Sequence, residues 1–168
     1  MFFDVDLAIG RLAQCLVGPA NGSVVKKVLG ASEFESAFDG KGDCPMPTIY
    51  VVPSTMEFVT RGRTGSSSQC SQYRLVDRID FITVTDCAND SARAYLSTRQ
   101  NRLIRAEYFC CLLDWPGAPA VVGDPPSVDT LPPEYELMPV NGGFIRQRDQ
   151  EYWWQDSWTV TYNLKECS

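Results

Sequence analysis

The sequence predicts a single α+β domain in which a mostly antiparallel β-sheet carries two main helices packed on one face. Two segments, one at the N-terminus and one following residue 91, space their apolar residues as helices do. The middle and the C-terminal part are rich in β-branched and aromatic residues, partly in strict alternation. The length of 168 residues suits one hydrophobic core, so we expect one domain over residues 1–168 without internal repeats.

Residues 4–17 are predicted to form the first helix. Its apolar residues recur at the spacing that lines one helix face, at Val5, Ile9, Leu12 and Leu16. Asp4 is suited to cap the N-terminus, and Gly18-Pro19 should end the helix.

Residues 23–42 carry one ambiguous element and one short helix. Residues 23–30 are rich in valine without a decisive period, so a short strand and a helical turn both remain open. Ser32-Glu33-Phe34-Glu35 has the spacing of a capping box, which predicts a helix through Phe38 that Asp39-Gly40-Lys41-Gly42 closes. Phe34 and Phe38, four residues apart, should then face the core.

Two strands joined by a long loop are predicted next. Residues 48–52 form a β-rich run that Pro53 interrupts or ends, and residues 55–60 continue it. Residues 72–85 are again strand-like, but the apolar side changes between Phe81 and Ile82, which indicates a bulge or a strand end covered on both faces. The polar, Gly- and Ser-rich segment between them predicts a flexible hairpin loop at about residues 61–70.

The longest helix is expected from residue 92 to about residue 113, after cap candidates at residues 89–91. We expect its buried apolar stripe to consist of Leu96, Leu103, Ala106, Cys110 and Leu113. A Pro-rich surface connection then spans about residues 116–133.

The C-terminal part predicts a β-hairpin, with strands at 143–148 and 152–164 around a turn at 149–151. The last strand alternates clearly. One side should face the core and carries Tyr152, Trp154, Trp158, Val160, Tyr162 and Leu164, while the other side is mostly polar.

Composition and charge exclude several classes of function. The net charge is −6 and the pI is near 4.6, so nonspecific binding to the phosphates of a nucleic acid is not expected. The chain has no histidine, which removes the usual general base of nucleophilic sites and the commonest zinc ligand. No apolar run approaches the ~20 residues that span a bilayer, and the N-terminus does not look like a signal peptide. We therefore expect a soluble protein that is not exported.

Seven scattered cysteines form no C-x-x-C pair, so neither a zinc ribbon nor a thioredoxin-like site is indicated. We expect them to be reduced and mostly packed as small apolar side chains. A nucleophilic or metal-binding thiol is the less favoured interpretation.

Three further motifs have simple structural explanations. Asp4 and Asp6 could form a metal-binding D-x-D, but acidic residues are favoured in the first turn of any helix. Asp149 and Glu151 flank a turn, where acidic residues are common. Gly40-Lys41-Gly42 lacks the third glycine and the context of a phosphate loop. We therefore assign no catalytic, cofactor-binding or metal residues, and we do not expect an enzyme.

Three residues remain as candidates for contacts with another chain. Trp153 falls on the polar side of the last strand, where an exposed tryptophan would suggest a subunit contact; the alternative is packing under a loop. Arg61 and Arg63, in the predicted flexible loop, are either solvated charges or anchors that become ordered on a partner. The aromatic stripe that begins at Tyr152 could stack bases or sugars, but it is more typical of a core face.

The order of several segments along nearly the whole chain resembles tail terminator proteins of long-tailed bacteriophages. The segments that carry the resemblance are Val28-Leu29-Gly30-Ala31-Ser32-Glu33-Phe34, Pro47-Thr48-Ile49-Tyr50-Val51-Val52-Pro53, an Arg-rich helix ending Leu112-Leu113-Asp114-Trp115-Pro116, Gly142-Gly143-Phe144-Ile145 and Tyr152-Trp153-Trp154-Gln155-Asp156. The chain departs from the pattern in its seven cysteines, its 61–69 loop and its Pro-rich connection.

The resemblance implies a structural virion protein that forms a ring of identical subunits, expected to be six, at the head-proximal end of the tail. Such a ring would stop polymerisation of the tail tube protein and dock to the neck or connector protein, and it could also contact a sheath protein. DNA would pass through its lumen without specific binding, which the acidic composition favours. The protein would be assembled in the host bacterial cytoplasm and would need no membrane and no cofactor.

Two alternatives remain open at this stage. One is another subunit of the neck, such as a head-completion, stopper or sheath-terminating protein. The other, less favoured, is a cysteine-dependent enzyme that uses one of the seven thiols.

Overall fold

The strands of this chain pair into one sheet, and helices pack on both of its faces. A computed structural model describes residues 3–18, 24–60, 70–87, 95–116, 128–131 and 135–167. The elements within these ranges are α1 (Val5–Leu16), β1 (Lys27–Leu29), α2 (Ala31–Phe38), β2 (Thr48–Thr60), β3 (Cys70–Asp86), α3 (Tyr95–Leu113), β4 (Glu136–Arg148) and β5 (Glu151–Cys167). The predicted α+β class is confirmed.

The five strands lie in the order β1-β2-β3-β5-β4. β1 and β2 are parallel and are connected through α2, whereas all other neighbours are antiparallel. β3 and β5 form the long centre of the sheet, paired from Cys70 opposite Cys167 to Asp86 opposite Glu151. β2 runs through Pro53 with a register shift between Pro53 and Thr55, so the predicted interruption is a bulge within one continuous strand.

The first face of the sheet carries α1 and α3, as predicted, over the main hydrophobic core. Asp4 caps α1: its side chain accepts a hydrogen bond from the backbone N–H of Asp6 at 2.9 Å. This contact explains the D-x-D motif without a metal. The core contains Leu12 and Leu16 of α1, Ile49 and Val51 of β2, Phe81 of β3, Ile104, Tyr108 and Leu112 of α3, and Trp158 and Val160 of β5.

The second face of the sheet carries α2 over a smaller aromatic core around Trp153. The ring of Trp153 is stacked on Tyr50, with centroids 6.1 Å apart, and meets the rings of Phe34 and Phe38 edge-on. Its indole N–H donates to Glu151 at 2.9 Å. Trp153 is 0% exposed, so the predicted exposed position is wrong: the tryptophan packs under a helix that the sequence pattern did not assign to this face.

The change of apolar side in β3 reflects a strand end covered on both faces. Phe81 belongs to the core under α1 and α3, whereas Ile82 and Val84 belong to the core under α2. One of the two predicted explanations is therefore confirmed, and α2 is the element responsible.

Two details of the predicted helices are wrong. Gly30, without a side-chain cap, precedes α2, and the Ser32 hydroxyl donates to Glu33 inside the first turn, so the capping box does not form. In α3 the buried stripe is Asn101, Ile104, Tyr108 and Leu112. Leu103, Ala106, Cys110 and Leu113, predicted to be buried, are exposed. The side chain of Leu96 lies outside the described residues, as do the segments 61–69 and 117–127.

Replacing Trp153 by alanine should lower the free energy of unfolding by about 3 to 5 kcal/mol, because the substitution leaves a large cavity between α2 and the sheet. Urea denaturation measures the change. The matched control is Met138→Ala on β4, where the side chain is 49% exposed and the expected loss is below about 0.5 kcal/mol. Equal losses in the two variants would contradict the buried position of Trp153.

Candidate interaction surface

The outward side of α3 carries an apolar stripe that no described residue covers. Leu103 and Leu113 are 60% and 56% exposed, and Ala106 and Cys110 lie exposed between them. The exposed guanidinium groups of Arg99 and Arg102 lie on the same side, in the N-terminal half of the helix. Single exposed leucines are normal on a protein surface, but a stripe of four apolar positions over three helical turns is typical of a contact surface.

A buried carboxylate sets the rotation of α3 that exposes this stripe. Asp156 of β5 is 2% exposed and accepts two hydrogen bonds of 2.5 Å from the guanidinium of Arg105. It also accepts from the Tyr108 hydroxyl and, at 3.2 Å, from the indole N–H of Trp154. The Arg105 guanidinium lies 4.6 Å from the centre of the Trp154 ring. Since Arg105 and Tyr108 must face the sheet, the opposite side of α3 faces outward.

Gly142 provides the space for this carboxylate. It pairs with Asp156 across β4 and β5, and a Cβ atom at position 142 would lie 2.0 Å from Oδ1 of Asp156. Any larger residue would therefore displace the carboxylate that holds α3.

The protonation of this cluster follows from its burial and its contacts. Burial, followed by the charge of Asp156, raises the pKa of Tyr108 well above its usual value. Burial disfavours the charge on Arg105, but its hydrogen bonds with Asp156 outweigh that effect and raise the pKa of the guanidinium. The tyrosine thus stays neutral as a donor and the arginine stays charged, which are the states that hold Asp156.

The outward side of α2 and its C-terminal turn are acidic. Glu33, Glu35, Asp39 and Asp43 are all exposed there, and the cations beside them are Lys41 and the two arginines of β4 that donate to the carbonyl of Phe38, Arg146 and Arg148. The hydrogen bond from Ser32 lowers the pKa of Glu33, so its carboxylate stays ionised. Because α2 and α3 pack on opposite faces of the sheet, this acidic surface and the α3 stripe lie on opposite sides of the molecule.

The edge strand β4 is a second exposed apolar region. Met138, Val140 and Phe144 are each about half exposed along this strand. β4 pairs with β5 on one side, and the order of the sheet leaves its other side at the edge. An edge strand of this length can pair with another chain.

A further candidate site is a cavity of about 290 Å³ beside the bulge of β2. It is lined by Phe3, Pro53, Met56 and Asp77 among others, and it is mostly apolar. The Asp77 carboxylate already accepts a hydrogen bond from the Tyr162 hydroxyl at 2.5 Å. The cavity therefore offers apolar contact area and one carboxylate, of which one oxygen is bonded to Tyr162 and the other, Oδ1, is buried without a hydrogen-bond partner among the described residues.

The thiols whose pKa values shift are protonated at neutral pH, so neither resembles the activated thiolate of a catalytic site. Burial raises the pKa of Cys44, and burial together with a hydrogen bond to Cys15 raises the pKa of Cys111 to about 12. Both carry their protons at neutral pH, which disfavours thiolate chemistry. Among the residues that the structure describes, no group of three or more acidic or cysteine side chains is placed to hold a metal ion.

The predicted contact residues and the observed surface do not coincide. Trp153 is buried under α2, and Arg61 and Arg63 lie outside the described residues. The apolar spacing of α3 predicts Leu103 and Leu113 in the core, so the exposed stripe does not follow from it. The signal for the correct face was the spacing of Ile104, Tyr108 and Leu112, each four residues apart.

A comparison of the sequence with models of protein families finds no match, and a comparison with curated proteins finds none either. Within the described ranges, the helices are too short or too polar to cross a bilayer.

Replacing Gly142 by alanine should lower the free energy of unfolding by roughly 2 kcal/mol or more, because the new methyl group displaces the buried Asp156 carboxylate. Gly143→Ala is the matched control, since a Cβ at that position meets no atom within 4 Å. Chemical denaturation of both variants measures the difference. A loss that is equal in the two variants would show that Asp156 does not need the space at Gly142.

The stability of the protein should fall above pH ~10 through Tyr108. In the unfolded chain this hydroxyl ionises near its usual pKa, whereas in the folded protein its raised pKa keeps the proton bound. The unfolded state therefore binds fewer protons as the pH rises, and the free energy of unfolding should decrease by up to about 1.4 kcal/mol per pH unit from this group. Denaturation at several alkaline pH values measures the slope, which should be smaller in Tyr108→Phe; an unchanged slope would contradict the prediction.

Proposed function

We propose that this chain is a structural subunit of a bacteriophage tail, a terminator that caps the head-proximal end of the tail tube as a ring of identical copies. The ring would stop polymerisation of the tube protein and dock to the neck or connector protein. Two lines of support lead to this proposal: the ordered resemblance along the chain, and the arrangement of two unlike surfaces on opposite sides of the sheet.

The arrangement of the two surfaces carries the proposal. One side of the subunit presents the α3 stripe with Arg99 and Arg102, and the other side presents the acidic residues of α2. A contact between two different patches on opposite sides is heterologous: each copy uses both patches, and the chain of copies closes when the rotation between neighbours permits it. The opposite charges favour head-to-tail association over pairing of like patches.

The resemblance supports the same interpretation from the sequence. Its segments include β1 and the start of α2, the first part of β2, the end of α3, and the β4–β5 pair. Several of them contain residues that build the two cores, such as Tyr50, Leu112 and Trp153. These segments therefore contribute to the cores on both faces of the sheet. Helices pack on both of these faces, and the proposed ring contact uses that arrangement.

The electrostatics of the described residues also suit a structural role. Tyr108 and Arg105 have shifted pKa values because they hold Asp156, and the shifted thiols are protonated. In each case the shift is explained by packing. The net charge of −6 would let DNA pass through the lumen of a ring without adhering to it.

Reversing the charge on either patch should break the ring. In Arg99→Glu/Arg102→Glu, and equally in Glu33→Lys/Glu35→Lys, like charges would face each other across the subunit contact and weaken association roughly tenfold or more. A chain carrying all four substitutions should assemble again. Sedimentation velocity measures association, and negative-stain microscopy of the purified protein shows whether rings form. Glu136→Arg, an exposed reversal on β4, is the control and should leave assembly unchanged.

Microscopy of virions with an antibody against this chain tests the place of the ring. We expect label at the head-proximal end of the tail. A protein that stays monomeric and is absent from particles would overturn the proposal, and label between the portal and the terminator layer would favour a head-completion or stopper subunit. Failure of the fourfold variant to assemble, with rings formed by the unmodified chain, would overturn the pairing of α2 with α3 but leave the ring itself supported.

A further inference from the structure

The contact between α1 and α3 brings two cysteines together that are roughly 100 residues apart in the sequence. The guanidinium Nε of Arg11 donates to the backbone carbonyl of Cys111 at 3.3 Å. Cys15 follows Arg11 by four residues and therefore lies on the same side of α1. Cys111 therefore lies on α3 beside the part of α1 that carries Cys15, and both side chains pack against the same core. The neighbouring Cys15 thiol, after burial, also raises the pKa of Cys111.

Both thiols lie at the margin of the core, where packing holds them and solvent still reaches them. Each side chain is partly buried and packs against the residues of the main core. The helices that carry them are held independently, α1 by Leu12 and Leu16 in the core and α3 by the Asp156 cluster. A bond between the thiols would join two elements that are already in place.

We propose that Cys15 and Cys111 are a redox modification site, at which an oxidant of the peroxide class forms a disulfide that joins α1 to α3. The proposal concerns the subunit itself and goes beyond the proposed ring. For a particle released from a reducing host cytoplasm, such a bond would stabilise the subunit after assembly, because thiols stay reduced inside cells and oxidise outside them.

The chemistry balances with two thiols and one peroxide. We assign the first step to Cys15, which is partly exposed: its sulfur attacks hydrogen peroxide, the O–O bond breaks, and the products are a sulfenic acid and water. The sulfur of Cys111 then attacks the sulfur of Cys15, the S–O bond breaks, and the hydroxyl leaves with the Cys111 proton as a second water. Two thiols have been oxidised to one disulfide.

Cys110, the neighbour of Cys111 in the sequence, shows what a disulfide at an exposed position of α3 would do. It is adjacent to Cys111 in the sequence but exposed on the outward side of α3, away from α1. A disulfide at Cys110 would therefore join different molecules, whereas one at Cys111 joins the two helices of one molecule.

The experiment treats the full-length protein with hydrogen peroxide and compares it with the protein kept in a reductant. We use the variant Cys110→Ser, so that a peptide containing residue 111 is assigned without ambiguity. Mass spectrometry of a non-reduced digest should find the Cys15 peptide linked to the Cys111 peptide, with a loss of about 2 Da relative to the two thiols. Under denaturing conditions the linked protein should still have the mass of one chain, and a reductant should separate the peptides again.

The thermal midpoint gives the second readout. Closing a loop of this length should raise the midpoint by about 10 °C in Cys110→Ser, and a reductant should reverse the rise. The rise should be absent in Cys15→Ser/Cys110→Ser and in Cys110→Ser/Cys111→Ser. A digest without the linked peptide, or a peptide in which Cys15 is linked to another cysteine, would overturn the proposal whether or not the protein forms rings.

Discussion

The buried carboxylate of Asp156 is the interaction on which the arrangement of α3 depends. Removing a carboxylate from water costs several kcal/mol, and here a bidentate guanidinium, a phenol and an indole offset that cost. The donors come from α3 and β5 themselves, so the carboxylate is satisfied only when α3 lies across the sheet in one rotation. That rotation buries Tyr108 and directs the stripe of Leu103 and Leu113 outward.

The two faces of the sheet are covered by different helices over cores of different size, so the molecule has two unlike sides. Among the described residues, two helices cover the first face over a large core, whereas one short helix covers the second face over the aromatic cluster of Trp153. Eight residues are enough for α2 because Phe34 and Phe38 both meet Trp153, and Phe34 also meets Tyr50. The outward surfaces of α2 and α3 then differ in charge, and a head-to-tail contact between copies needs such a difference.

The ionisable side chains that the structure describes serve packing and, in the proposed ring, association. Arg105, Tyr108 and Cys111, whose pKa values are raised, contact neighbours within the core or at its margin. The proximity of Cys15 and Cys111 fits this pattern, since the proposed disulfide would add a covalent link between helices that already pack. In the proposed ring, rigidity would keep the contact surfaces in a constant geometry in every copy.

The sequence by itself determined the fold class, the cap of α1 and the change of apolar side in β3, because these depend on local spacing and on alternation along single segments. It left open whether Pro53 interrupts or ends its strand, which only the pairing of β2 with β3 decides. It did not determine which side of α3 is buried or that α2 covers Trp153. Leu103 and Ile104 are equally apolar neighbours in the sequence, and only the distant Asp156, by drawing Arg105 and Tyr108 inward, decides between them. The exposed stripe of α3 could be located only in the folded chain, since exposure is a property of the completed packing.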